Sequence, residues 1–206
     1  MGRQREIKEF VYKKLQRLQA LPLNQRRAEL AELRRGIGHA PGEIPELWGS
    51  FLLEMPEEFQ GIRTASHAEW AIYLALTYYA LHQQGNETDM NQEGFGLGRA
   101  VRELAERNTS AQEWESSSVL QRFNALATAK DIHEISHHLR GLIQLLRSAK
   151  GGGIPLDYPL LAAELYGLQC DAPGLTHIPA DIKLRWGQDL YRNKNIKTSE
   201  SEMEEK

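Results

Sequence analysis

The chain has 206 residues, of which 41% are hydrophobic and 26% are charged, and its formal net charge is −3. This length fits one domain or two small ones, and the apolar content suffices for a core. A single cysteine, Cys170, excludes an internal disulfide framework. The first residues lack the apolar run of a signal peptide, and no stretch approaches the roughly 18 apolar residues of a membrane span. We therefore expect a soluble, cytoplasmic protein without a membrane partner.

The spacing of apolar residues predicts helices throughout, and strand signals are nearly absent. In the first half we expect helices ending near Ala20, over 24–35, over 44–55, and from a capping box at Ser66 to about Gly85. The inward face of the fourth helix is predicted to carry Trp70, Leu74, Thr77, Tyr78 and Leu81.

A polar, glycine-bearing segment at 85–96 is interpreted as the boundary between two helical halves. Beyond it the pattern predicts helices near 97–107, 116–127, 130–149, 156–168 and 179–193. The predicted fold is therefore all-α, with about eight to nine helices in two small bundles in tandem. The expected divisions are an N-terminal bundle at 1–90, a C-terminal bundle at 91–197, and a disordered acidic tail at 198–206.

Charge is unevenly distributed along the chain. Residues 3–35 contain ten basic and four acidic residues, whereas residues 43–93 contain only Arg63 against nine acidic residues. A basic end of this kind permits a basic face for nucleic acid. For the acidic segment we favour a protein-docking role over simple solvation.

Residues 133–137 read His-Glu-Ile-Ser-His, the string found in zinc metallopeptidases. Two imidazoles four residues apart can share one Zn²⁺, with Glu134 as general base and Glu164 as a possible third ligand. Helical geometry places both histidines opposite the core face, beside Arg140 and Arg147, where neighbouring positive charge disfavours a dication. We therefore expect no metal, and a peptidase is kept as an unlikely alternative.

The same helix face suits phosphate. His133, His137, Arg140 and Arg147 offer hydrogen-bond donors about one turn apart, and arginine forks match phosphate oxygens. A solvated helix face without a ligand explains the pattern equally well. Other chemistry lacks support: Gly94–Gly98 is not a dinucleotide fingerprint, and Gly151–Gly153 lacks the following Lys-Ser/Thr of a phosphate loop. No cofactor is expected.

Several segments, in order and spacing, resemble the CasB family, the small subunit of the type I-E CRISPR surveillance complex called Cascade. The resemblance covers about residues 7–194 and is most specific where the sequence reads LGRA, R-F, H-L-R and L-D-Y-x-L-L. The segments are Ala28–Arg35, Ile44–Trp48, Gly94–Val101, Leu120–Leu126, His138–Leu142, Leu156–Leu161 and Arg185–Tyr191.

The resemblance implies a two-domain helical protein without catalytic activity. Its expected protein partners are the backbone subunits, the large subunit and a second copy of itself. Its expected nucleic-acid partners are the CRISPR guide RNA and target DNA, including the displaced strand of the R-loop. A purely structural spacer subunit is the alternative within the same complex.

Matching the motifs assigns nucleic-acid contact to five arginines, with three weaker candidates on the last helix. Other roles are open for some of them: an interdomain ion pair for Arg99, an internal ion pair for Arg122, and a helix-dipole contact for the pair ending the second helix. Trp186 and Tyr191 are assigned to the core. The predicted contact residues are Arg34, Arg35, Arg99, Arg122 and Arg140, followed by Lys183, Arg185 and Arg192.

Overall fold

The computed structural model describes residues 2–108 and 117–192. Within these ranges the chain forms nine α-helices and no β-strand, apart from an isolated bridge between Asn91 and Leu156. The all-α prediction is confirmed. In chain order the helices are α1 (Gly2–Ala20), α2 (Leu23–Arg35), α3 (Trp48–Leu52), α4 (His67–Gln83), α5 (Leu97–Asn108), α6 (Ser118–Thr128), α7 (Ile132–Arg147), α8 (Tyr158–Leu168) and α9 (Ile178–Tyr191).

The first helix is amphipathic, as its sequence predicts. Its buried residues recur every three to four positions, so they form one apolar stripe along the helix. This stripe packs mainly against α8, and the Gln4 side chain adds a hydrogen bond to the Ala163 carbonyl at 3.1 Å. The residues of the stripe are Ile7, Val11, Leu15 and Leu18.

Helix α4 lies at the centre of the molecule. Its predicted capping box is present: Ser66 Oγ accepts from the Glu69 N–H at 3.0 Å, and the Glu69 carboxylate accepts from the Ser66 N–H at 2.7 Å. Of the residues predicted to face inward, Leu74, Thr77, Tyr78 and Leu81 are buried, whereas Trp70 is only half-buried, and burial extends over every residue from 71 to 82. Helices α1, α2, α7 and α8 all pack against α4, so it has no solvated side.

The segment predicted as one helix over 44–55 is divided. Pro45–Leu47 form a short 3-10 helix, α3 follows with only five residues, and Glu54 then adopts a positive φ of 62°. Ile44 provides no side-chain cap, and a helix this short is not stable by itself. Burial holds the segment in place, through Leu47, Phe51 and Met55.

The five helices of the C-terminal part lie where the sequence predicts them. Side chains of Ser117, Asp131 and Asp157 accept hydrogen bonds from first-turn N–H groups of α6, α7 and α8. Trp186 is buried, as predicted, whereas Tyr191 is 58% exposed. The core assignment of Tyr191 was therefore wrong, because α9 ends at this residue.

The division into bundles near residue 90 stays a prediction. Helix α1 packs on α8, α4 packs on α7 and α8, and the buried apolar residues form one continuous cluster. The predicted acidic tail, 198–206, lies outside the described residues. None of the described helices is long and apolar enough to cross a membrane.

Candidate nucleic-acid interface

Arg34 lies in the last turn of α2, half-buried against α4. Its guanidinium donates a hydrogen bond to the Ala80 carbonyl at 3.3 Å. Burial and, secondarily, the charge of Arg147 lower the pKa of Arg34. Because an arginine stays protonated at neutral pH even so, two positive charges are held near each other at the carboxyl end of α4.

Arg147 is the last residue of α7, and it reaches the same end of α4. It donates to the Gln84 side-chain oxygen at 2.9 Å, just beyond the end of α4. Both arginines therefore hydrogen-bond neutral oxygens, and among the described residues neither forms an ion pair with a carboxylate. Arg147 was not among the eight residues assigned to nucleic-acid contact, but the sequence already placed it with Arg140 on the helix face that suits phosphate.

Arg140 is exposed on α7 and lies beside the loop that follows α2. A Cβ built on Gly38 of that loop would lie 3.9 Å from Arg140 Nη1. His133 and His137 are exposed on the same helix, whereas Ile135, Leu139 and Ile143 are buried. The predicted division of α7 into a core face and a solvated face is confirmed.

Arg122 is exposed on α6 and extends towards α7. A Cβ built on Gly141 would lie 3.4 Å from Arg122 Nη1, so this guanidinium lies against the helix backbone next to Arg140. Arg34, Arg122, Arg140 and Arg147 thus border α7, and we call these four residues the α7 cationic surface. None of these four arginines pairs with a carboxylate of the described residues. The arginines that do are Arg3, Arg17, Arg35, Arg102, Arg107 and Arg192.

The remaining predicted residues are not part of this surface. Arg35 pairs with Glu32 at 2.9 Å and lies 4.0 Å from Glu46. Arg99 on α5 places its guanidinium 4.2 Å from the centre of the Phe95 ring. Lys183, Arg185 and Arg192 are at α9, which packs against α5. Arg192 pairs with Asp189 of that helix at 3.2 Å. Their contact with nucleic acid stays a prediction.

A groove of about 670 Å³ continues from Arg34 between α2 and the segment after α4. Arg26 and Arg27 line it, and Arg26 donates to the Gln19 side-chain oxygen at 2.7 Å. These two residues were not among the predicted contacts, although they precede Arg34 by about two helical turns on α2. The groove also carries Glu87 and Asp89, so its charge is mixed.

Acidic residues offset part of the positive charge of the N-terminal segment. Arg17 pairs with Glu54, and Arg3 lies 3.8 Å from Glu58. The acidic segment at 43–93 therefore folds partly against α1, and its charges offset those of the helix. Exposed pairs of this kind contribute little stability, but they remove positive charge from the surface.

The His-Glu-Ile-Ser-His string has other roles in the fold. The His133 ring packs edge-on against Trp70, with centroids 4.9 Å apart. The Glu134 carboxylate accepts the Lys130 N–H at 2.8 Å, as a capping group. Glu164, the suggested third ligand, is buried elsewhere and accepts from Trp186 Nε1 at 2.8 Å. Within residues 2–108 and 117–192, no three His, Cys, Asp or Glu side chains are grouped to hold a metal ion.

The fold and this surface define an all-helical protein in which four arginines from α2, α6 and α7 border α7 and form no ion pair with a carboxylate among the described residues. Residues 29–191 match the family described as CRISPR-associated protein Cse2. The chain belongs to this CRISPR-associated Cse2 family, which confirms the resemblance to CasB. No curated protein sequence matches the chain.

Solved structures agree with the family assignment. CasB from Thermobifida fusca is similar at a TM-score of 0.68 and 28% identity, over 90% of this chain and 97% of that one. A Cse2-family CRISPR-associated protein from Thermus thermophilus is similar at a TM-score of 0.64 and 26% identity, over 90% and 98%. CasB from M. ruber shares the fold at a TM-score of 0.62 and 21% identity, over 96% and 97%. Family membership supports the role of a Cascade subunit, with other Cascade components as partners.

Proposed function

We propose that this protein is a non-catalytic, cytoplasmic subunit of the type I-E Cascade complex that grips nucleic-acid backbone without reading its sequence. The observation that carries the proposal is the α7 cationic surface, where Arg34 and Arg147 are held together with neutral partners. Like charges so placed repel one another, and a bound anion removes that repulsion. Membership of a CRISPR-associated family supports nucleic acid as that anion.

Phosphate is the group that these side chains fit. A guanidinium offers a planar fork of donors that matches two phosphate oxygens. Contacts to phosphate fix position and contribute affinity, but they carry no sequence information directly. Pairing between guide RNA and the target strand supplies specificity, and the protein is left to hold the backbones.

Weak intrinsic binding is sufficient for this role. R-loop formation exchanges one duplex for another of similar stability, so a few added strand contacts bias it. The net charge of −3 gives the isolated subunit little electrostatic attraction for DNA. Placement beside backbone subunits, the large subunit and a second copy compensates by raising the effective concentration.

The test is R-loop retention by the complete complex carrying Arg34→Ala plus Arg140→Ala. We expect the displaced strand to escape faster than in the wild type, most visibly at higher salt, because two phosphate contacts are lost. Lys13→Ala plus Arg17→Ala is the matched control, since it removes two charges of α1 that pair with carboxylates. Normal assembly with wild-type retention at every salt concentration would exclude the proposed contacts.

A structural spacer is the second candidate, and the paired state of Arg35 and Arg192 favours it at those two positions. A spacer assembles into the complex and tolerates the loss of all its surface arginines. The same retention experiment distinguishes the two functions, because only backbone binding depends on Arg34 and Arg140.

A further inference from the structure

A cleft of about 270 Å³ lies between α4, α7 and the loop after α2, next to Arg140. Its floor is Tyr78, whose hydroxyl contacts both the Ser136 carbonyl and the Ser136 Oγ at 2.7 Å. The Trp70 and His133 rings, packed edge to face, contribute to its wall. The cleft therefore combines a fixed polar floor with flat ring systems.

The opposite wall of the cleft is the loop after α2. Gly38 has a positive φ of 91°, which favours glycine, and a Cβ built there would lie in ordinary contact with Arg140 Nη1 at 3.9 Å, so the guanidinium lies close to this loop. His39 pairs with Glu43 at 3.0 Å, so a carboxylate also lines the cleft. The cleft is thus lined by the positive charge of Arg140 and by the carboxylate of Glu43.

This combination fits a nucleobase better than a phosphate. Glu43 repels a second anion, but it can accept hydrogen bonds from a base N–H. Trp and His rings stack on any base, because every base has a π-face. The volume of about 270 Å³ lies just below the usual range for small-ligand sites, which suits one flat ring system and excludes a duplex.

We propose that this cleft receives one unpaired nucleobase from a strand whose phosphates lie on the α7 cationic surface. The inference rests on the proposed function, which supplies the strand. It adds selectivity, because a base inside a duplex is already paired and stacked and cannot enter. The subunit therefore prefers single strands, either DNA or RNA, over duplexes.

The test is an NMR titration of the full-length protein that follows the Trp70 indole N–H, assigned with Trp70→Phe. The first ligand is a deoxyadenosine tetranucleotide, and the second is an abasic deoxyribose-phosphate strand of the same length. NMR detects millimolar binding, so weak affinity does not hide the result. We expect the Trp70 signal to shift saturably with the first ligand and not with the second.

The outcomes separate this inference from the proposed function. If both strands shift the Arg34 and Arg147 side-chain signals but neither shifts Trp70, the base cleft is wrong and phosphate binding stands. If the abasic strand shifts Trp70 as strongly as the natural strand, the cleft also does not bind a base. If neither strand affects the arginines or Trp70, the base cleft is wrong, and R-loop retention by the complete complex decides the proposed function.

Changing the half-buried Trp70 could disturb the fold, so a second variant is made at His133, which is exposed. His133→Ala should weaken binding of the natural tetranucleotide roughly tenfold by removing one ring face, and His133→Phe should restore it. Binding of the abasic strand should not change in either variant. A matching adenosine ribotetranucleotide should shift Trp70 as the DNA does, and a longer, stably paired DNA duplex containing the same sequence should not; an equal response to the duplex would overturn the inference.

Discussion

Arg34 and Arg147 both hydrogen-bond neutral oxygens at the carboxyl end of α4: Arg34 donates to the Ala80 carbonyl, and Arg147 donates to the Gln84 side chain. The nearby charge of Arg147 contributes to lowering the pKa of Arg34. An arrangement that opposes like charges costs folding free energy, and such costs are typical of functional sites.

The first prediction concerns the repulsion between the positive charges of Arg34 and Arg147. Arg147→Gln should leave the free energy of unfolding unchanged or raise it slightly, because it relieves repulsion. At the same time it should weaken nucleic-acid binding by the assembled complex. The slope of log K against log salt concentration should fall by the amount that one phosphate contact contributes. Urea denaturation and binding at several salt concentrations measure the two effects. A large loss of stability with unchanged binding would identify Arg147 as a structural residue.

The second prediction concerns Glu164. Burial raises its pKa to about 7 from the usual 4.5, although Trp186 Nε1 donates to its carboxylate. Between pH 4.5 and about 7 the folded protein therefore keeps a proton on Glu164 that the unfolded chain has lost. The stability that this protonated carboxyl contributes is fully present below pH 4.5. It declines as pH rises towards 7 and is absent above that value.

Glu164→Gln should remove this pH dependence while keeping an acceptor for Trp186. Relative to the wild type, the variant should gain roughly 2–3 kcal/mol of unfolding free energy between pH 4.5 and pH 8. Denaturant unfolding at several pH values measures the difference. Glu57→Gln, the same change at an exposed residue, is the control. Parallel pH profiles for wild type and Glu164→Gln would contradict the raised pKa.

The third prediction concerns the contact between α5 and α9. A Cβ on Gly98 would collide with the Trp186 carbonyl oxygen. Gly98→Ala should therefore lower the free energy of unfolding by about 1–3 kcal/mol, because the two helices must separate. Gly187→Ala in α9 meets nothing within 4 Å and should stabilise the protein by up to about 1 kcal/mol through helix propensity. Thermal unfolding of both variants compares them directly, and equal effects would show that the helices do not approach at Gly98.

The fourth prediction addresses the zinc-peptidase alternative. Glu134 acts as a helix cap towards the Lys130 N–H, and the His133 ring packs on Trp70. We therefore expect purified protein to contain zinc well below stoichiometric amounts, and Glu134→Gln to change helix stability rather than any hydrolytic activity. Elemental analysis checks this. Stoichiometric zinc that disappears in His133→Ala plus His137→Ala would restore the peptidase hypothesis.

Local sequence patterns determined the helices of this protein. The stripe of α1, the capping box at Ser66 and the two faces of α7 follow from spacing over a few residues, so they could be predicted before any packing was known. The family could also be predicted, because its motifs are short strings in a fixed order. The segment at 44–55 could not, since it has no side-chain cap and its shape depends on burial.

Tertiary structure alone decided which charges remain available. The sequence shows a basic end and an acidic segment, but only the fold brings Glu54 to Arg17 and so offsets the basic end. Likewise, only packing against α4 brings Arg34 to Arg147, from opposite halves of the chain. Helix periodicity acts over neighbouring residues, whereas Coulomb interactions depend on distance in space, which the order of residues does not specify.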